Sequence, residues 1–232
     1  MGASLSSLRA RIGPSFLQVA VGGAFVGLLL CWHTSRRAVE GKASETVTVS
    51  VDNDGCITDF YDIGNKTGDG SYAQVRKGRN KISAQQVAVK TIRKDKTSRQ
   101  ASRVQSEITI MKSLIHPNIV ELVESFQDER SYFLVLELCQ GGELFDVIID
   151  SGHFSEPQAK HCMRQILQAI EHCHGKKICL RGTKPEDIML MAKVPIMEAT
   201  LKIIDFGLAR EFKDDEPMTT KAGTPYYVAP QV

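Results

Sequence analysis

The chain has 232 residues, 42 % hydrophobic and 24 % charged, with 29 Lys and Arg against 27 Asp and Glu. Those proportions exclude a disordered or collagen-like chain, and the net charge of +2 offers no basic footprint, so nucleic acid is not an expected partner. The length admits one good core or two small ones, and six cysteines with no Cys-x-x-Cys read as reduced thiols rather than zinc ligands or a disulfide framework.

Residues 1–39 carry no acidic side chain and form an N-terminal hydrophobic anchor or targeting segment. Ile12 to Trp32 is uncharged and mostly apolar, flanked by Arg9 and Arg11 on one side and Arg36 and Arg37 on the other. A helix needs about 20 such residues to cross a bilayer, and the glycines of this run are tolerated in membrane helices. Gly23 and Gly27 form a small-xxx-small pair. Met1-Gly2 with Ser6 fits the myristoylation pattern, and Cys31 stands where acylation could follow. Three readings stay open: a membrane anchor through residues 12–32, a cleaved organelle or signal sequence, and a lipidated end that does not span. Arginines on both flanks leave the orientation open.

Residues 40–60 read as a polar linker. Asp52-Asn53-Asp54-Gly55-Cys56-Ile57 looks like the first half of a calcium loop, but with Gly55 at the sixth position Tyr61 falls at the twelfth, where a bidentate Glu is needed. No calcium binding is therefore expected within this chain, and the stretch reads as an Asp-Gly turn between short strands.

From Tyr61 a series of patterned segments follows. Gly68-Asp69-Gly70-Ser71-Tyr72-Ala73-Gln74-Val75 is a glycine-rich hairpin whose backbone can lie close to phosphates. Val87-Ala88-Val89-Lys90 reads as a buried strand ending in a lysine. Val104, Ile108, Met111 and Leu114 share one face of a helix, with Glu107 beside that face. His116-Pro117-Asn118-Ile119-Val120 follows, and then the apolar strand Phe133–Leu136 runs into Glu137-Leu138-Cys139. Gly141-Gly142-Glu143-Leu144-Phe145-Asp146 opens another helix. Glu156 to His174 is a long amphipathic one, whose His161, His172 and His174 read as packed or solvated rather than metal-bound. The stretch Ile178 to Leu190 contains Leu180-Arg181-Gly182-Thr183-Lys184-Pro185-Glu186-Asp187. Leu201 to Gly207 ends in Asp205-Phe206-Gly207, and Thr219 to Pro230 closes the chain's patterned part.

In this order and spacing the segments resemble the eukaryotic protein kinase domain, and are similar to calcium-dependent and calmodulin-dependent Ser/Thr kinases of the apicomplexan type, C-terminally truncated. The resemblance implies an α+β, protein-kinase-like fold: a small β-rich N-lobe over residues 61–138 and an incomplete helical C-lobe over 139–232, ending after the activation segment. It also implies ATP and Mg²⁺ as cofactors. Gly68 and Gly70 would lie over the phosphates, Val75 and Ala88 would roof the adenine, and Lys90, paired with Glu107, would hold the α- and β-phosphates. Leu136 would be the gatekeeper, Glu137 and Cys139 would belong to the hinge, and Glu143 would meet the ribose or a basic substrate residue. Met189 would complete the ATP site. Asp205 and Asp187 would ligate the metal, while Lys184 and Thr224 would join the position of Gly182 in the catalytic set.

Three of the departures fall in one loop. Leu180 stands where the family has His, Gly182 where it has the catalytic Asp, and Asp187 where it has Asn. Ala73 replaces the third loop glycine and Gln231 the Glu of Ala-Pro-Glu. Glycine has no side chain to accept a proton, and a general base contributes roughly 10² to 10⁴ in rate. The expectation is a membrane-tethered pseudokinase or kinase fragment that binds Mg-ATP, with its kinase-like domain in the cytosol and a protein docking partner. The alternatives are an active calcium-dependent-type kinase phosphorylating proteins, and an organelle-targeted chain with a cleaved N-terminus.

Overall fold

The computed structural model describes residues 48–69, 73–95 and 97–228. The apolar run at 12–32, the loop glycine Gly70 and residues 229–232 lie outside them. Among the described residues no helix is long and apolar enough to cross a membrane.

Alternating side chains build the first layer. Strands β1 (Tyr61–Asp69), β2 (Gln74–Asn80), β3 (Gln86–Arg93), β4 (Leu122–Gln127) and β5 (Ser131–Glu137) form one antiparallel sheet in the order β1-β2-β3-β5-β4. The β3–β5 register pairs Val87 with Glu137, Ala88 with Leu136, Val89 with Val135 and Lys90 with Leu134. Because successive residues point to opposite faces, Val87, Val89 and Val135 share one face. They form a small cluster with Phe126, Ile57 and Tyr61. Ala88, Lys90, Leu134 and Leu136 share the other face, which looks into the molecule.

Helix α2 (Ser98–Ser113) has the face its sequence predicts: Val104, Ile108, Met111 and the capping Leu114 are only 1–3 % exposed. Burying each such side chain contributes roughly 1.5–3 kcal/mol. The same core takes in Leu144 and Ile148 of α3 (Leu144–Ser151), Cys162, Ile166, Ala169 and Cys173 of α4 (Glu156–Gly175), and the short strands β7 (Ile188–Leu190) and β8 (Leu201–Ile203). Sheet and helices thus share one apolar interior. Helix α4 starts with a capping box, Ser155 N–H donating to Gln158 Oε1 at 2.8 Å, and carries Pro157 in its first turn. Two of its histidines are half-buried, His161 against the Ala199 carbonyl and His172 5.2 Å from the His116 ring, while the exposed His174 stands edge-on to Phe212.

Residues 48–60 depart from the linker expectation. Val49 and Ile57 are each 4 % exposed, and Asn53 makes a lone parallel bridge to Phe126. Instead of a second strand, the short helix α1 (Ile57–Phe60) follows Gly55. The cause is the outer face of the sheet. Its valines and Phe126 need a cover, and Ile57 with Tyr61 supplies it.

One glycine is required by close approach. A Cβ on Gly141 would lie 2.4 Å from the Ala192 carbonyl oxygen and 2.5 Å from Leu190 Cβ. Glycine lets the Gln140 and Gly141 N–H groups bond the carbonyls of Met191 and Leu190, which seats the segment after β5 on β7.

Candidate nucleotide and phosphotransfer site

The sheet positions the first half of the site. Register pairs Gly68 with Val75 and Val75 with Lys90, so Gly68, Val75, Ala88, Lys90 and Leu136 lie on the same inward face. Lys90 Nζ donates to Glu107 Oε1 at 2.6 Å and stands 3.8 Å from Asp205 Oδ1. The pair is sheltered, with 17 % of the lysine and 7 % of the glutamate side chain exposed. Burial works against the Lys90 charge, but Glu107 and then Asp205 outweigh it and hold the ammonium above its ordinary value. Phe206 is fully buried and anchors the turn, while Gly207 N–H bonds Asp205 Oδ1 at 2.9 Å and leaves half of the aspartate side chain exposed.

The hinge residues Leu136, Leu138 and Cys139 are buried. Burial, with help from Glu137, pushes the Cys139 thiol up to about 11, so it stays a neutral thiol. The Glu137 carboxylate does not face the cleft. It accepts from Lys202 Nζ at 2.6 Å and from the Glu121 N–H at 2.8 Å. Lys202 escaped the sequence reading, although a lysine in the apolar run Leu201–Ile204 signals a buried partner. It ties β8, just before Asp205, to the end of β5. Glu143 and Met189 form a bridge across the far side of the cleft.

The second half is built on the loop after β6 (Ile178–Cys179), which pairs with β9 (Arg210–Glu211). Leu180 is 7 % exposed and belongs to the same core as Phe206, taking the apolar place of the histidine that the pattern has there. Arg181 adopts φ +63°, and its Nε donates to the Leu208 carbonyl at 2.8 Å. A Cβ on Gly182 would meet Gly223 Cα at 3.3 Å and Leu208 Cδ1 at 3.6 Å, so the segment before Thr224 crosses directly against this loop. Lys184 pairs with Asp187, which is 8 % exposed. Burial opposes the Lys184 charge, yet Asp187, Glu186 and Asp205 hold it above its ordinary value. Burial pushes the Asp187 carboxyl up, and the Lys184 contact offsets only part of that. Against the expected pattern, one carboxylate is missing at 182 and one is gained at 187. Lys184 pairs with the carboxylate that is present.

Thr224 is half-buried and its carbonyl accepts the N–H groups of Tyr227 and Val228, closing a turn. Glu186 Oε2 is buried without a hydrogen-bond partner among the described residues, and Oε1 lies 3.4 Å from the Tyr227 hydroxyl. Burial and Glu186 push that phenol up to about 12. The structure thus brings Gly68, Val75, Ala88, Lys90, Glu107, Leu136, Asp205, Lys184 and Asp187 around one cleft. The residues suit Mg-ATP: two aspartates offer hard oxygen donors, and Lys90 stands 3.8 Å from one of them.

The protein kinase domain family matches residues 61–232. Calcium-dependent protein kinase 3 of Plasmodium yoelii yoelii is 46 % identical over 180 residues, which cover 77 % of this chain and 33 % of that protein. Calcium-dependent protein kinase 5 of Plasmodium falciparum is 42 % identical over 76 % of this chain and 31 % of its own length. Death-associated protein kinase 2 of Mus musculus is 39 % identical over 76 % and 49 %. The chain therefore spans a half or less of these relatives. With the sheet, the helices and the cleft in place, the match makes this chain a member of the protein kinase family, with a Ser/Thr kinase domain similar to those of the calcium-dependent kinases.

Proposed function

We propose that the chain is a membrane-tethered pseudokinase: a kinase-family domain that binds Mg-ATP, has lost efficient phosphotransfer and works by docking a protein partner. The observation that carries this reading is Gly182, with Lys184 turned to Asp187, beside an intact Lys90–Glu107 pair at 2.6 Å. Asp205, half of whose side chain is exposed, and Asp187 would hold Mg²⁺, which would neutralise phosphate charge, and Lys90 would hold the phosphates. A protein hydroxyl attacking the γ-phosphate must lose a proton, and position 182 has no atom to take it. Asp187 is engaged by Lys184 and held in the loop's own 3-10 turn. The tether rests on the apolar run at 12–32, and use of ATP would put the domain on the cytosolic side.

The test is a thermal melt of the full chain in detergent micelles, with and without Mg-ATP. Saturation at 100 times the dissociation constant stabilises by about 2.7 kcal/mol, so a clear upward shift supports the reading. An identical melt with and without nucleotide overturns it. Similarity to active calcium-dependent kinases favours a second outcome, transfer of phosphate to a protein substrate at a rate typical of a kinase, and that outcome would remove the prefix pseudo.

A further inference from the structure

We infer that residues 48–54 are a strap that fixes helix α2, and that Asp52 is a positioning residue for the Lys90–Glu107 pair. This deepens the nucleotide-binding reading and rests on it for its functional consequence. The strap precedes the family's own boundary, since the kinase match begins at residue 61. It is nonetheless built into the lobe from two sides.

On the sheet side it is stapled to β4, the edge strand. Asp52 and Asn53 both donate their N–H groups to the Ser125 carbonyl at 3.1 Å. The Ser125 N–H and hydroxyl in turn donate to Asp52 Oδ2 at 2.8 and 2.7 Å. Asn53 Nδ2 reaches Glu124 Oε2 at 2.8 Å, and Gln127 Nε2 reaches Asp54 Oδ1 at 2.7 Å. Ser125 is fully buried, so these bonds are hidden from water at their centre. A strand edge is thereby covered.

On the helix side the strap makes two contacts with α2. Ser50 N–H donates to Gln105 Oε1, and Lys112 Nζ pairs with Asp52 Oδ1. Gln105 and Lys112 bracket Glu107 in sequence, one two residues before it and one five residues after it. The apolar face of α2 already holds the helix against the core through Val104, Ile108 and Met111. A greasy stripe resists lifting better than it resists rotation or sliding. The polar contacts supply what it lacks, a fixed register against β4. Asp52 is the joint, because one of its carboxylate oxygens faces Lys112 and the other faces Ser125.

The experiment uses the full chain and two readouts. The first is hydrogen exchange of the α2 amides from residue 105 to 113 without nucleotide; the second is affinity for a non-hydrolysable Mg-ATP analogue. Asp52→Ala should speed α2 exchange by about tenfold, and Lys112→Met, which breaks only a pair 41 % and 36 % exposed, by about two- to fivefold, while β2 and β3 stay unchanged. Each should weaken the analogue by no more than the same factor, since a coupled site cannot gain more than the contact supplies. In a Glu107→Gln background the affinity loss should vanish, which a merely structural strap would not produce. Asp54→Ala, which touches β4 alone, should match the wild type. Unchanged α2 exchange in both variants overturns the inference, and so does an equal affinity loss in the Glu107→Gln background. Absence of analogue binding by the wild type would instead sink the nucleotide reading, and the exchange readout would still decide the strap.

Discussion

On the sheet side of the cleft, Lys90 meets Glu107 at 2.6 Å and stands 3.8 Å from Asp205. On the loop side, Lys184 meets Asp187, three residues on, and Gly182 offers no side chain. Both lysines are paired, but to different effect. The Lys90 pair joins two separate elements, β3 and α2, and so shapes the space between them. The Lys184 pair spans three residues within one loop and shapes only that loop. On the proposed reading, the contacts that would hold a nucleotide and those that would move a proton are separate, so one set could be lost without the other.

That comparison breaks most directly at Lys90. Lys90→Ala should abolish the nucleotide-induced rise in melting temperature and leave the buried Glu107 uncompensated, at a cost of about 3–5 kcal/mol in a denaturant melt. Retained nucleotide stabilisation would mean that the sheet side is not the binding half.

Gly182→Asp probes the other half. Its Cβ needs the backbone at Gly223 to give by a few tenths of an ångström, and its φ lies outside the left-handed region, so an aspartate can be seated. If the missing base limits the reaction, phosphate transfer to a protein substrate should rise by roughly 10² to 10⁴. No rise would place the defect elsewhere in the loop, with the captive Lys184 the first suspect.

Lys202→Met sharpens the picture by testing what joins the halves. The Lys202–Glu137 pair is 11 % and 14 % exposed, and removing one partner alone should cost about 3 kcal/mol. Replacing Glu137 by Met as well should recover most of that loss. A single variant as stable as the wild type would show that the pair is dispensable.

The smallest effect concerns pH. Burial raises the Asp52 carboxyl, but its bonds to Lys112 and Ser125 outweigh burial and leave it below its ordinary value. A carboxyl lowered by folding stabilises above the unfolded value, about 3.9, and loses that contribution as pH falls through the lower folded one. Exchange of the α2 amides, corrected for intrinsic chemistry, should therefore stay level from pH 8 down to about 4 and quicken only below it. Quickening near pH 6 would point to a different group.

Much of the fold was legible because it is local. Val104, Ile108, Met111 and Leu114 announce α2 by spacing, and Val87-Ala88-Val89-Lys90 announces β3 by alternation. The site positions could be read because each sits in a short motif, and the damage at Gly182 and Asp187 was visible as two substitutions five residues apart. The pairing of Lys184 with Asp187 needed the coordinates. The strap was not legible at all. Its segment is polar and aperiodic, and its bonds join residues 55 to 73 positions apart. Ile57, read as part of a linker, is buried only because Phe126 and Val135 lie beneath it. Glu137 was read as part of the hinge, and nothing in that reading disclosed that its side chain pairs with Lys202, 65 residues away.

The strap has a consequence that runs in the reverse direction. Coupling between two sites is reciprocal: a strap that tightens nucleotide binding by some factor must itself be held more firmly, by the same factor, once nucleotide is bound. The cleft then acts as a sender. A domain without a proton acceptor can still convert the presence of ATP into a change at residues 48–54, the first described stretch after the apolar run at 12–32. The message would be written in the grip on Asp52, and the chain would need no chemistry to deliver it.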